Sequence, residues 1–168
     1  MQKIIYRIDE ENEIFLKNLT ADCYVLSTML TDEFCKKFTE IALKSEKVVL
    51  FYGENAVSYC KKYEADGVVC DFGTDNLKEK MAETRKEIGK NKFIGLFTRN
   101  RRHESMLVSE AEPDFVIFRV WNDGFAQLKE LTDWYADFFL IQSAAWLMDD
   151  NVPESKNLRT DFLMIKKA

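Results

Sequence analysis

A single histidine, His103, is all that 168 residues offer, and the four cysteines at 23, 35, 60 and 70 include no Cys-x-x-Cys pair. A zinc site would have to gather thiolates from distant elements, so none is expected. Cys23 and Cys70 stand inside apolar runs, where a free thiol behaves as a small hydrophobe. Glycine is scarce, six in all, and none builds a phosphate loop of the P-loop or dinucleotide type, nor a nucleophile elbow. No apolar run reaches membrane length, because the longest, from Phe138 to Met148, is short and holds Gln142. A surplus of positive charge is missing too. The net charge of -5 argues against a general nucleic-acid binder, which needs a basic face to displace counterions. The start, "MQKIIYRIDEENE", turns acidic at once and lacks the apolar core of a signal peptide, so a cytoplasmic location is the expectation. Two prolines and no Gly/Ser/Pro-rich linker leave one domain across 1–168.

What the chain does contain is rhythm. Apolar, β-rich runs begin at Ile4, Cys23, Val48, Gly67, Phe93, Phe115, Phe138 and Phe162, and most are apolar throughout. Strands covered on both faces read this way. Between them lie helical patterns. Thr31 is placed to cap the helix in "TDEFCKKFTEIALKSE", with acids in the first turn and Phe34, Phe38 and Ile41 on one face. Thr74 is placed to cap the next long helix, which Gly89 should stop. Shorter helices fit Glu54 to Glu64 and Arg101 to Glu112, a further one runs through Phe125, Leu128 and Leu131, and the weakest lies in "EENEIFLKNLTA". Alternation of this kind demands parallel strands and right-handed crossovers. Eight units favour an α/β fold of the (β/α)8 barrel type over an open doubly wound sheet. Such barrels usually need 200 residues or more. The expectation is therefore a small or incomplete barrel with an irregular final quarter, 143–168.

Functional groups in either architecture gather at the carboxyl ends of strands. That rule selects Glu54 after the third run, Asp71, Thr74 and Asp75 after the fourth, Thr98, Arg99 and Asn100 after the fifth, Arg119 and Trp121 at the sixth, and Gln142 and Ser143 after the seventh. "TRNRRH" is the basic knot of the chain. Thr98 and Arg99 are its candidate anion seat, since a helix start offers free N–H groups and an arginine can clamp phosphate. Arg101 and Arg102 are expected to be solvated or paired with Glu104, and His103 to sit within the helix. Glu54 and Asp75 could share a magnesium ion, which takes one or two carboxylates plus phosphate oxygens; each could equally favour a helix dipole. Trp121 could stack on a flat ring or plug the barrel. Trp134 and Tyr135 suggest an apolar helix face and a homo-oligomer.

"EADGVVCDFGTDNL", then "FIGLFTRNRRHESM", then "EPDFVIF" resemble the middle of the thiamine phosphate synthase family, in particular its divergent alphaproteobacterial-type members. The resemblance covers about Val48 to Phe118 and extends weakly to both ends. It implies a (β/α)8 barrel that joins hydroxymethylpyrimidine diphosphate to thiazole phosphate and releases pyrophosphate with magnesium. It places Glu54 and Asp75 at the metal-binding acids, the latter across a two-residue insertion, and Thr98 at the hydroxyl ending the fifth strand. "LIQSAAW" resembles the phosphate-binding end of the last strand, which brings in Ser143. Arg99 would join Thr98 in the chemistry, and Asn100, Arg119, Trp121 and Ser143 would bind substrate or phosphate.

Departures from the family pattern fall on its cations. Its second strand grips pyrophosphate with glutamine, arginine and lysine, whereas this one reads "CYVLSTML". Val69 and Phe72 replace a histidine and a glutamine, "RVWNDG" replaces a threonine-and-lysine loop, and the late glycine pair is missing. A leaving pyrophosphate must be stabilised electrostatically, so Arg99, Arg119 or Arg101 would have to substitute. Two expectations follow: a transferase with a rebuilt grip, or a degenerate barrel that binds a phosphorylated metabolite or a partner protein. An unrelated open-sheet signalling domain is the third, and strand order decides it.

Overall fold

The computed structural model describes residues 2–149 and 153–167. Eight parallel strands pair strictly in chain order and close: β1 (Lys3–Ile8), β2 (Cys23–Ser27), β3 (Val48–Tyr52), β4 (Gly67–Cys70), β5 (Phe93–Thr98), β6 (Phe115–Val120), β7 (Gln142–Leu147) and β8 (Phe162–Lys166), with β8 parallel to β1. The open-sheet alternative falls with that closure. Five α-helices cover the outside, α1 (Asp32–Lys44), α2 (Ala56–Lys62), α3 (Leu77–Ile88), α4 (Arg102–Glu110) and α5 (Phe125–Phe138). No helix among the described residues is long and apolar enough to cross a membrane.

The barrel is small but complete. It closes in 168 residues because the crossovers from β1 to β2 and from β7 to β8 each carry one 3-10 turn, Glu13–Leu16 and Pro153–Asn157, in place of a helix. Asn12 caps the first of these by accepting the Ile14 N–H at 2.9 Å. Thr31 caps α1 as its sequence predicts, its hydroxyl accepting from the Phe34 N–H. Thr74 does not cap α3. That helix starts at Leu77 behind Asn76, whose left-handed backbone (φ 52°) ends the loop instead; Gly89 does terminate it, at φ 103°.

The seventh strand is displaced from its predicted run. Phe138 still belongs to α5, and Phe139 leaves the helix to stack on Tyr135 with ring centroids 4.6 Å apart. The strand itself begins at Gln142 and takes in the small residues Ala144 and Ala145. Apolarity alone does not separate a helix end from a strand. Tyr135 is likewise no surface residue, being buried with its hydroxyl 2.7 Å from Ser109 Oγ. Trp134 packs half-buried between Phe138 and Phe139, with Arg102 over its ring. The exposed apolar side chains there are Phe138 and Leu140.

Alternate residues split into an outer and an inner core, as the two-residue period of a strand requires. The inner core takes Ile5, Val25, Leu50, Val69, Ile117 and Met164 from six strands, together with Phe97, Phe115, Ala144 and Trp146. Gly95 belongs to this layer, where a Cβ would run into the Phe115 ring. At the amino end of the barrel one motif repeats three times. Asp66, Asp114 and Asp161 each precede an even-numbered strand and clasp the strand before it. Their carboxylates accept the N–H of Val49, Ile94 and Ser143 at 2.8, 2.7 and 2.9 Å. Their own N–H groups donate to the carbonyls of those same residues. Asp114 also binds Arg85 at 2.9 Å.

Candidate functional site

At the carboxyl end the bore is stoppered by aromatic rings. Tyr52, Phe97 and Trp146 meet edge to face, with Trp146 4.8 Å from Tyr52 and 4.9 Å from Phe97. Two arginines rest on this platform. Arg7 lies 4.5 Å over Trp146, buried and also 3.7 Å from Asp9. Arg119 lies 3.9 Å over Phe97. Both occupy inward-facing positions, in step with Ile5 on β1 and with Phe115 and Ile117 on β6, so the alternation that builds the core also aims their cations at the mouth. A ligand therefore cannot descend the axis; it must settle beside the stopper.

Two clefts lie there, over β3 to β6. The first, about 550 Å³, is lined by Tyr52, Gly53, Asn55, Ser58, Val69, Asp71, Phe97 and Arg119, among others. The second, about 420 Å³, is lined by Asp71, Gly73, Thr74, Asp75, Lys80, Thr98, Arg99, Glu104 and Arg119, among others. Between them stands one ion pair, Arg119 Nη2 to Asp71 Oδ2 at 2.9 Å, whose residues line both. Lys80 Nζ donates to the Phe72 carbonyl at 3.0 Å, and Arg99 pairs loosely with Glu104 at 3.7 Å. The second cleft thus sets three cations, Lys80, Arg99 and Arg119, beside three carboxylates, Asp71, Asp75 and Glu104, and the cations are groups that can bind a phosphate.

The predicted site residues separate into two sets. Asp75, Thr98, Arg99 and Arg119 come together on the second cleft. Asn100 stands behind them, its side-chain amide donating to the Arg119 carbonyl at 2.7 Å. Thr98 is buried and faces the α4 layer, its hydroxyl donating to the Arg99 carbonyl at 3.1 Å and lying 3.4 Å from Ser105 Oγ. Glu54 and Trp121 are exposed and line neither cleft. Ser143 lies at the opposite end of the barrel, in the clasp with Asp161; its displacement follows directly from the shift of β7. Arg101, Arg102 and His103 are exposed at the start of α4.

Glu54 and Asp75, expected to share magnesium, border no common cleft, and the described residues contain no group of three His, Cys, Asp or Glu placed to hold a metal. Of the two, Asp75 lines the second cleft and is the carboxylate that could hold magnesium together with phosphate oxygens. Cys70, on the first cleft, has its thiol pushed up to about 12, chiefly by burial and then by Cys60; it stays protonated and is no nucleophile. The chemistry available is binding and charge stabilisation. Lys80, Arg7, Phe97 and Trp146 are not among the residues that the strand-end rule selects. Arg7 had a legible signal, a lone cation within "IIYRI", whereas Lys80 reads as one of many helix lysines.

No family model matches the chain. A thiamine-phosphate synthase from Erythrobacter litoralis (strain HTCC2594) is 28% identical over 130 residues, 71% of this chain. The match spans 59% of that relative's length. A thiamine phosphate pyrophosphorylase from Pyrococcus furiosus superposes with a TM-score of 0.73 at 15% identity, covering 98% of this chain and 85% of that one. The tryptophan synthase complex from Pyrococcus furiosus superposes at 0.75 with 9% identity, covering 98% and 86%. For 3-hexulose-6-phosphate synthase from Salmonella typhimurium the values are 0.66 and 16%, over 98% and 89%. At such identities the superpositions report a shared barrel. The chain is similar to thiamine-phosphate synthase in sequence and has the (β/α)8 fold that this resemblance implies.

Proposed function

We propose that the protein is a thiamine phosphate synthase-like transferase, joining hydroxymethylpyrimidine diphosphate to thiazole phosphate with release of pyrophosphate. The observation that carries this reading is the second cleft. There Arg99, Arg119 and Lys80 line one cleft with Thr74 and Thr98, over the carboxyl ends of β4 to β6. These cations supply from the fourth to sixth strands the positive charge that the second strand lacks. Charge developing on a departing pyrophosphate would be met there by groups already in position, and each such contact is worth about 10²–10³ in rate. Magnesium, held by Asp75 and phosphate oxygens, would share that charge. The test is turnover of the two precursors by purified protein with magnesium. Product forming only at the background rate overturns the reading.

The missing second-strand cations favour a second reading, a barrel that binds a phosphorylated metabolite without chemistry. It predicts heat of binding with thiamine phosphate or pyrophosphate and no turnover.

A further inference from the structure

Arg119 is held by three contacts of different kinds. Its carbonyl is fixed by the Asn100 amide, its guanidinium carbon lies 3.9 Å over the Phe97 ring, and its Nη2 meets Asp71. The first two fix backbone and cation without using its charge for an ion pair. Asp71 makes the ion pair, from an exposed loop position with its side chain 55% accessible. Pairs this open are weak and easily exchanged. The same two side chains stand where the clefts meet, so breaking the pair frees a seated arginine and opens a passage in one movement.

We propose that Asp71 is a built-in counter-ion, occupying Arg119 until a phosphate or diphosphate group takes its place. The inference rests on the reading of the second cleft as a phosphate site. Asp71 contributes no anchor that the arginine lacks without it. Its carboxylate competes with the incoming anion for one guanidinium and repels that anion besides. When the exchange occurs, Asp71 swings away into solvent, Arg119 stays on Phe97, and the two clefts become continuous around the phosphate.

The experiment is titration calorimetry with inorganic pyrophosphate, in EDTA, on the full chain and on Asp71→Asn, Arg119→Met and the double variant. Release of a half-exposed ion pair corresponds to about a 1.5- to fivefold gain in affinity. Asp71→Asn is expected to bind pyrophosphate tighter by that factor, Arg119→Met at least tenfold weaker, and the double variant no tighter than Arg119→Met alone. Weaker binding by Asp71→Asn would make Asp71 a positioning residue for Arg119 and overturn the proposal. So would an equal gain in the Arg119→Met background, which would mean simple charge repulsion, or pyrophosphate binding by none of the proteins. Asp71→Ser, checked for an unchanged melting temperature, repeats the test with a smaller side chain. Affinity rising as expected in a protein with no synthase activity sinks the transferase reading and leaves this one; turnover with unaltered affinity in Asp71→Asn does the reverse.

Discussion

The two ends of the barrel use the same side chain for opposite purposes. At the amino end Asp66, Asp114 and Asp161 each bind backbone N–H groups of a neighbouring strand, and the three clasps repeat one geometry. At the carboxyl end Asp71 and Asp75 stand in loops, lining a cleft, with only Arg119 bound to the former. An aspartate that satisfies buried backbone is part of the fold, whereas one that faces a cation across a cleft can change partner. The lesson is that the residue type says little until the end of the strand is known. Ser143 shows it well: assigned to phosphate through the family resemblance of "LIQSAAW", it lies in a clasp.

Alkaline unfolding tests whether the two ends are equally dry. Cys23 opens β2 at the amino end and Cys70 closes β4 at the carboxyl end; each thiol is pushed up to about 12, chiefly by burial. Unfolded thiols ionise near pH 9 while the folded ones stay neutral, so stability from both is intact below pH 9 and drains away as pH rises toward 12. Each raised thiol contributes about 1.4 kcal/mol per pH unit in that window. Replacing either cysteine with alanine should flatten the slope of unfolding free energy between pH 9 and 11 by a similar amount. A slope unmoved by Cys70→Ala would show the carboxyl end to be wet.

Next in size is Arg119→Met, which should lower turnover about 10²-fold, equivalent to about 2.7 kcal/mol, with the melting temperature within about 2 °C of the parent. A parallel loss of stability would place Arg119 with the clasps. Asp114→Ala should do the opposite. Losing a charged acceptor for the Ile94 N–H and the partner of Arg85 costs about 1.5–3 kcal/mol, or about 3–12 °C in melting temperature. A drop below about 1 °C by scanning calorimetry would undo the contrast between the two ends. Thr98→Val sits between them, since its hydroxyl bonds to protein atoms yet lines the cleft. It should cost about 1 kcal/mol of stability and only a few-fold in rate. Ser143→Ala should change neither turnover nor stability beyond about 0.5 kcal/mol, which assays of both would register.

Much of the fold was legible because its signal is periodic. Seven of the eight predicted runs start at or within one residue of strands β1 to β6 and β8, since covered parallel strands must be apolar on both faces. The miss at β7 has a local cause: a helix end sealed by Phe139 on Tyr135 looks, in one dimension, like the start of a strand. The site was legible only in outline. The rule of strand ends selected Asp71, Asp75, Thr98, Arg99 and Arg119, all of which line the second cleft. It also selected Glu54 and Trp121, which turn away from it, because adjacency in a loop does not determine side-chain direction.

By itself, the sequence determined that eight β-rich segments alternate with helical ones and that positive charge clusters around the fifth and sixth, because burial patterns and charge are properties of the chain. Tertiary structure decided which end each residue occupies and what it touches. Arg119 on Phe97, Asp71 against Arg119 and the aromatic stopper bring together residues up to 94 positions apart, Tyr52 and Trp146 at the extreme. Such meetings come from closure of the ring and the register of its strands, which no local pattern encodes.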